Sequence, residues 1–131
     1  MTYTNFKFDA DSDGIALITW DMPGKSMNVF TEEVMDELDS MIDRVKSEAA
    51  IKGAVFTSGK DGFSGGADLT MLKKMFQVYQ DEKDKNPQGA VKLLFDVAGR
   101  MTWLFRKLET SGKPWVSAIN GVCMGGAFEM S

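Results

Sequence analysis

The residues best placed for chemistry in this chain are two pairs of glycines, each between an apolar strand and a helix. The first pair follows Ala54-Val55-Phe56-Thr57 and lies in Phe63-Ser64-Gly65-Gly66-Ala67-Asp68-Leu69. The second follows Val116-Ser117-Ala118-Ile119 and lies in Asn120-Gly121-Val122-Cys123-Met124-Gly125-Gly126-Ala127-Phe128-Glu129. Glycine at a strand-to-helix turn lets a ligand approach the backbone closely, where unpaired N–H groups point outward. Two such turns side by side can aim two backbone donors at one oxygen, which is how an oxyanion hole is built.

The rest of the composition narrows the chemistry to carboxylates and backbone amides. With no histidine and one cysteine, zinc, haem and iron–sulfur sites are not expected, nor are Ser-His or Cys-His nucleophile pairs. A net charge of −4 argues against a nucleic-acid partner. No apolar run approaches the ~18 residues of a membrane span. The opening Met1-Thr2-Tyr3-Thr4-Asn5-Phe6 lacks the layout of a signal or transit peptide. Cys123 has no partner for an internal disulfide, which fits a reducing compartment, and the cytoplasm is expected. A chain of 131 residues suffices for one hydrophobic core.

The elements that must position the glycine turns read as α/β. Phe6-Lys7-Phe8 and Gly14 to Trp20 predict paired strands around an Asp/Ser/Gly turn. Thr31 is a candidate N-cap, followed by Glu32 and Glu33 at the positive end of a helix. Val34, Leu38, Met41, Ile42 and Val45 then share one helical face. Ile51 to Thr57 reads as a strand buried on both faces. A helix is expected to begin near Asp68 and carry Leu69, Leu72, Met75 and Phe76. The charged stretch 80–89, containing Pro87, predicts a mobile loop. Val91, Leu94, Phe95, Ala98, Met101, Phe105 and Leu108 mark another amphipathic helix, which Gly112-Lys113-Pro114 stops before a strand at Trp115 to Ile119. The order suggests repeated ββα-like units with parallel pairing. One tempting motif fails: Asp9-Ala10-Asp11-Ser12-Asp13-Gly14 matches half of a calcium loop, but the twelfth position is Trp20 and the flanks are strand-like. A plain hairpin is expected there.

Taken in order, three segments resemble the signatures of the crotonase (enoyl-CoA hydratase/isomerase) superfamily. They are the two glycine turns and Pro23-Gly24-Lys25-Ser26-Met27-Asn28, which resembles that family's coenzyme-A-binding loop. The resemblance covers nearly the whole chain. The wording from Trp20 to Asn28 is similar to multifunctional fatty-acid β-oxidation proteins, in which a hydratase/isomerase domain is fused to a 3-hydroxyacyl-CoA dehydrogenase. It implies a crotonase-like ββα spiral, and hydration of an α,β-unsaturated thioester whose oxygen becomes an enolate. By resemblance, the N–H groups of Ala67 and Gly126 bind that oxygen, and Glu129 positions or deprotonates water. Burial would raise the pKa of such a carboxylate toward the working pH. Lys25, Ser26 and Met27 would contact coenzyme A, with Gly65, Gly66, Asp68 and Gly125 completing the binding turns. Coenzyme A enters as part of the substrate, no covalent cofactor or metal is implied, and NAD belongs only to a fused domain.

Each of these residues also has a plainer reading. Both glycine pairs serve equally as tight turns with close helix–sheet packing. Asp68 suits a helix start, Lys25 a surface charge, and Lys73 and Lys74 a solvated face. Met41, Met75 and Met101 read as core filler ahead of a flexible acyl pocket, and Cys123 as a small packing residue. Residues 1–131 are expected to form the N-terminal part of one crotonase-like domain, since the family's second glutamate is missing, and the missing Gly-x-Gly-x-x-Gly fingerprint puts any dehydrogenase part elsewhere. Alone, such a piece is expected to be inactive and to self-associate through exposed apolar surface. The alternatives are another crotonase reaction, such as thioester hydrolysis or dehalogenation, and a non-catalytic module that binds acyl-CoA or a partner.

Overall fold

In the computed structural model, which describes residues 2–131, a carboxylate closes the first turn. Asp11 Oδ1 accepts hydrogen bonds from the N–H groups of Asp13 (3.0 Å) and Ile15 (2.8 Å). This joins β1 (Phe6–Ala10) to β2 (Ile15–Trp20) as an antiparallel hairpin, as expected. β3 (Gly53–Ser58) pairs parallel to β2, and β4 (Trp115–Ala118) parallel to β3, giving the sheet order β1-β2-β3-β4. Helix α1 (Glu32–Ser47) makes the parallel crossover between β2 and β3. Thr31 caps it through a bond from Val34 N–H to its Oγ1 (3.2 Å). At the other end Lys113 Nζ donates to the Val45 and Glu48 carbonyls (2.6 and 2.7 Å), so a residue just before β4 completes the helix terminus.

The core lies between α1 and one face of the sheet. Val34, Leu38, Met41, Ile42 and Val45 are all fully buried, and they pack in one cluster with Phe6, Ala16, Ile18, Trp20, Ala54 and Phe56. Trp20 is its centre, with ring centroids 4.9 Å from Phe30, 5.7 Å from Phe6 and 6.0 Å from Phe56. The opposite face of the sheet is open, which corrects the expectation that the β3 strand is covered on both sides. The register sets Leu17 beside Val55 and Val55 beside Val116, and side chains alternate, so these three form a row on that face. Leu17 is 43% and Val116 59% exposed, because no described element packs over them.

Two further helices join β3 to β4. α2 (Leu69–Lys83) and α3 (Pro87–Glu109) form an antiparallel-type hairpin in which only 84–86 connect. The loop expected over 80–89 is therefore mostly helical. Asn86 caps α3 by accepting from Gly89 N–H (3.0 Å), Pro87 occupies the first turn where its missing N–H costs nothing, and Gln77 Nε2 donates to Asp81 one turn on in α2 (2.8 Å). The lower part of α3 reaches the core through Leu104 and through Phe105, whose ring lies 5.7 Å from Phe30. α4 (Gly126–Met130) begins at the second glycine pair. Among the described residues no helix is long and apolar enough to cross a membrane.

Candidate active site

Backbone pairing brings the two glycine turns together. Ser64 N–H donates to the Val122 carbonyl (3.0 Å) and Met124 N–H to the Ser64 carbonyl (3.0 Å), a parallel bridge between Ser64 and Cys123. On its other side the first turn pairs with the segment before α1. Phe30 N–H donates to Gly66 O (2.8 Å), and Phe30 O accepts from Asp68 N–H (2.9 Å). Both groups of Phe30 thus bond to the residues flanking Ala67, so the N–H of Ala67 itself turns away from Phe30. It meets no protein acceptor among the described residues. Gly126 opens α4, where a first-turn N–H has no intrahelical partner, and it too lacks an acceptor among the described residues.

Two of the glycines are there for physical reasons. Gly66 has φ +87° and Gly125 φ +53°, conformations that side chains rarely adopt. A Cβ on Gly66 would lie 3.0 Å from the Met124 carbonyl oxygen and 3.6 Å from the Gly125 Cα. The two turns are therefore in van der Waals contact. Each of the two turns, which backbone hydrogen bonds join, carries an N–H without an acceptor among the described residues.

A buried amide holds the first turn in place. Asn28, fully buried, donates from Nδ2 to Trp20 O (2.9 Å), Ser58 Oγ (2.9 Å) and Phe63 O (3.2 Å), and its Oδ1 accepts from Met22 N–H (3.1 Å). Its carbonyl accepts from Gly65 N–H and Ser64 Oγ, both at 2.9 Å. One side chain thus ties the ends of β2 and β3 to the turn that carries Ala67. The second turn is tethered by Asn120, whose Nδ2 donates to the carbonyls of Ser58 (3.3 Å) and Lys60 (2.8 Å). The sequence reading gave none of Asn28, Ser58 or Ser64 a positioning role. The available signal was a polar residue set between Met27 and the apolar Val29-Phe30.

The other expected site residues are placed as follows. Lys25 and Ser26 are exposed on the loop between β2 and α1, and Met27 is half-buried. The Met27 side chain lies against Gly62 and Gly65, so the loop packs directly on the first turn. Asp21 anchors the loop's start, paired with Lys7 (2.8 Å) and Lys60 (2.9 Å); hydrogen bonds from Lys7 and then Lys60 hold its carboxyl below the usual range. Asp68 caps α2, its Oδ1 accepting from the N–H groups of Thr70 (2.7 Å) and Met71 (3.1 Å). The bond from Met71 N–H is the main cause of its lowered pKa, and the Lys25 charge adds to it. Glu129 lies two residues from Ser131. It stands in α4 one turn from Gly126, but is exposed, since no described element covers that face of the short helix. Met41 is core and Met71 and Met101 pack at its edge; together with Met35 and Met75, the latter two also line a cavity of about 500 Å³ bounded by α1, α2 and α3. Ala67 lines that same cavity, and Met101 also underlies Gly126.

The enoyl-CoA hydratase/isomerase family profile matches residues 10–131. Among curated relatives, the fatty acid oxidation complex subunit alpha of Shewanella halifaxensis is 36% identical over 127 residues, and that of Idiomarina loihiensis 34%. Each match takes in 96% of this chain and 16% of the relative, so the chain spans about one sixth of their length. Among solved structures, an enoyl-CoA hydratase from Shewanella pealeana superposes with a TM-score of 0.78 at 20% identity, over 96% of this chain and 43% of that one. An enoyl-CoA hydratase/isomerase from Xanthobacter autotrophicus gives 0.75 at 22% identity, over 98% and 43%. By that profile, which spans nearly its whole length, the chain belongs to the enoyl-CoA hydratase/isomerase family.

Proposed function

We propose that this chain forms the oxyanion-binding part of an enoyl-CoA hydratase/isomerase site acting on acyl-CoA thioesters in fatty-acid β-oxidation. The observation that carries the reading is the contact between the two glycine turns, with the Ala67 and Gly126 N–H groups both unpaired. Addition of water to the double bond moves negative charge onto the thioester oxygen, and two fixed donors stabilise it without reorganisation. One such donor contributes about 3–4 kcal/mol to lowering the barrier. Glu129 handles the proton of the attacking water. Lys25, Ser26 and Met27 hold coenzyme A, supported by the packing of their loop on the first turn. Self-association through the open row of Leu17, Val55 and Val116 and residence in the cytoplasm, in keeping with the unpaired Cys123, belong to the same reading.

The test is crotonyl-CoA hydration by the chain and by the longer proteins that share it, with and without Glu129→Gln. Loss of a carboxylate acting as general base lowers turnover by roughly 10²–10⁴-fold. Undiminished hydration by the variant removes Glu129 from the mechanism. The exposure of Glu129 favours one second reading, a module that binds acyl-CoA without turning it over. Binding of crotonyl-CoA with no hydration in any of these proteins would select it.

A further inference from the structure

Lys60 stands in Ser58-Gly59-Lys60-Asp61-Gly62, the segment that leaves β3 and runs into the first glycine turn. Only 17% of its side chain is exposed. Its ammonium reaches the root of the loop that carries Lys25, Ser26 and Met27, donating to the Met22 carbonyl (2.7 Å) and pairing with Asp21 Oδ1 (2.9 Å). Its N–H donates to Ser58 Oγ (3.0 Å), a hydroxyl that also accepts from Asn28 Nδ2 (2.9 Å) and donates to the Gly62 carbonyl (2.8 Å). Its own carbonyl accepts from Asn120 Nδ2 (2.8 Å), at the start of the second turn. One residue is thus bonded to all three segments on which the proposed site depends. The side chain holds the loop, the N–H holds the approach to the first turn, and the carbonyl holds the second.

The packing around these bonds leaves little slack. Asp21 lies against Gly59, where an added Cβ would come within 3.0 Å of the Asp21 Cγ, and Asp61 lies against Gly121, where a Cβ would be 2.3 Å from the Asp61 carbonyl oxygen. A lysine ordinarily keeps its charge in water on a flexible stem. Here the stem is mostly covered and the charge is shared between a carboxylate and a backbone carbonyl, which makes short, charge-assisted bonds. Balancing Asp21 alone would not require this, because Lys7 already pairs with the other carboxylate oxygen (2.8 Å) from the solvent side. We infer that Lys60 is a positioning residue, one that fixes the loop proposed to hold coenzyme A relative to the N–H groups of Ala67 and Gly126. A thioester gripped at its coenzyme end then presents its oxygen to both donors. Misplacement by about 1 Å in such an arrangement costs on the order of a hundredfold in rate. The inference rests on the thioester reading above and adds to it the residue that sets the span between the two ends of the ligand.

The experiment is calorimetric titration of the chain with two ligands, butyryl-CoA, a saturated thioester that cannot be hydrated, and S-butyl-CoA, the thioether that lacks its carbonyl oxygen. The ratio of their affinities reads the contact between that oxygen and the two N–H groups. The native chain should bind the thioester roughly tenfold more tightly, the worth of one or two net hydrogen bonds. In Lys60→Met, which keeps the stem and removes the charge, the ratio should fall below about twofold, and Lys60→Arg, which keeps the charge, should recover most of it. A Lys60→Met protein that weakens both ligands together, or neither, leaves the ratio unchanged and overturns the inference. Lys7→Met removes the outer partner of Asp21 alone and should leave the ratio as it is; a fall equal to that of Lys60→Met would assign the effect to the charge of Asp21 and overturn the inference as well. Where Lys60→Met does not fold, Asp21→Ala reads the same ratio from the other side of the pair, and no fall there overturns the inference. A native chain that binds neither ligand, or both alike, instead overturns the functional reading itself, and the inference with it.

Discussion

Helix α1 and the α2–α3 hairpin carry similar apolar periodicity and end in opposite states. In α1 six residues, Val34, Met35, Leu38, Met41, Ile42 and Val45, are buried against the sheet. In α2 none is buried, and in α3 only Ala90 and Leu104 are. Phe95, on the face expected to pack, is 64% exposed. The difference lies in what each helix faces. α1 lies on a sheet face whose Trp20, Phe56 and Ile18 fill the space between them, whereas α2 and α3 pack on each other and leave most of their apolar side chains exposed or half-buried. Amphipathic pattern therefore tells which face is apolar, while the partner decides whether that face becomes core or binding surface. In this molecule the buried core resides in the β1–β2–α1–β3 body, while the hairpin keeps most of its side chains at the surface.

Matched truncations would break this comparison most directly. Leu38→Ala should cost about 3–5 kcal/mol of stability, through lost burial and the cavity left behind. Leu72→Ala in α2 should cost less than about 1 kcal/mol, as a substitution at a site that is not packed. Denaturant unfolding of both variants measures the contrast, and equal losses would show that the hairpin is core after all.

Asn28→Ala sharpens the boundary between the body and the site. It strips the Met22 N–H of its acceptor and the Phe63 carbonyl of its side-chain donor, both in buried surroundings, while the Trp20 carbonyl keeps the Gly59 N–H. A loss of about 3 kcal/mol is expected, since each buried polar group left unpaired costs about 1–3 kcal/mol. Hydrogen exchange at Gly65 should quicken, because the Asn28 carbonyl that holds its N–H moves with the hub. Unchanged exchange there would disconnect Asn28 from the turn.

The smallest expected effect is electrostatic. Asp21 and Asp68 have folded-state pKa values below the ordinary aspartate value, the first through Lys7 and Lys60 and the second through the α2 backbone. A lowered folded pKa contributes stability that is complete above the unfolded value near 3.9 and is lost as pH falls through the folded one. Stability should therefore decline below about pH 4, and Asp68→Asn, which caps without titrating, should flatten part of that decline. Urea midpoints across acidic pH test it; parallel curves for the two proteins would assign the slope to other carboxylates.

Much of this was legible in the residues. Thr31 capped the first helix, the face from Val34 to Val45 became the core, Asp68 started α2, and the glycine turns fell where strand meets helix. These depend on local chemistry: a hydroxyl beside a free N–H, apolar residues one turn apart, a backbone angle that only glycine takes without strain. The stretch at 80–89 misled because charge and a proline suggest a loop, while Asn86-Pro87 is equally a helix start. Asn28 was unreadable as a hub because its partners, Trp20, Ser58 and Phe63, are distant in sequence and meet only through parallel strand pairing. The sequence by itself determined which residues want to be helix, strand, turn or apolar face. Only the tertiary structure decided that the two glycine turns meet, that one sheet face stays open and that α2 and α3 leave most of their apolar side chains uncovered. Those are relations between distant segments, set by how the elements dock rather than by any residue's own preference.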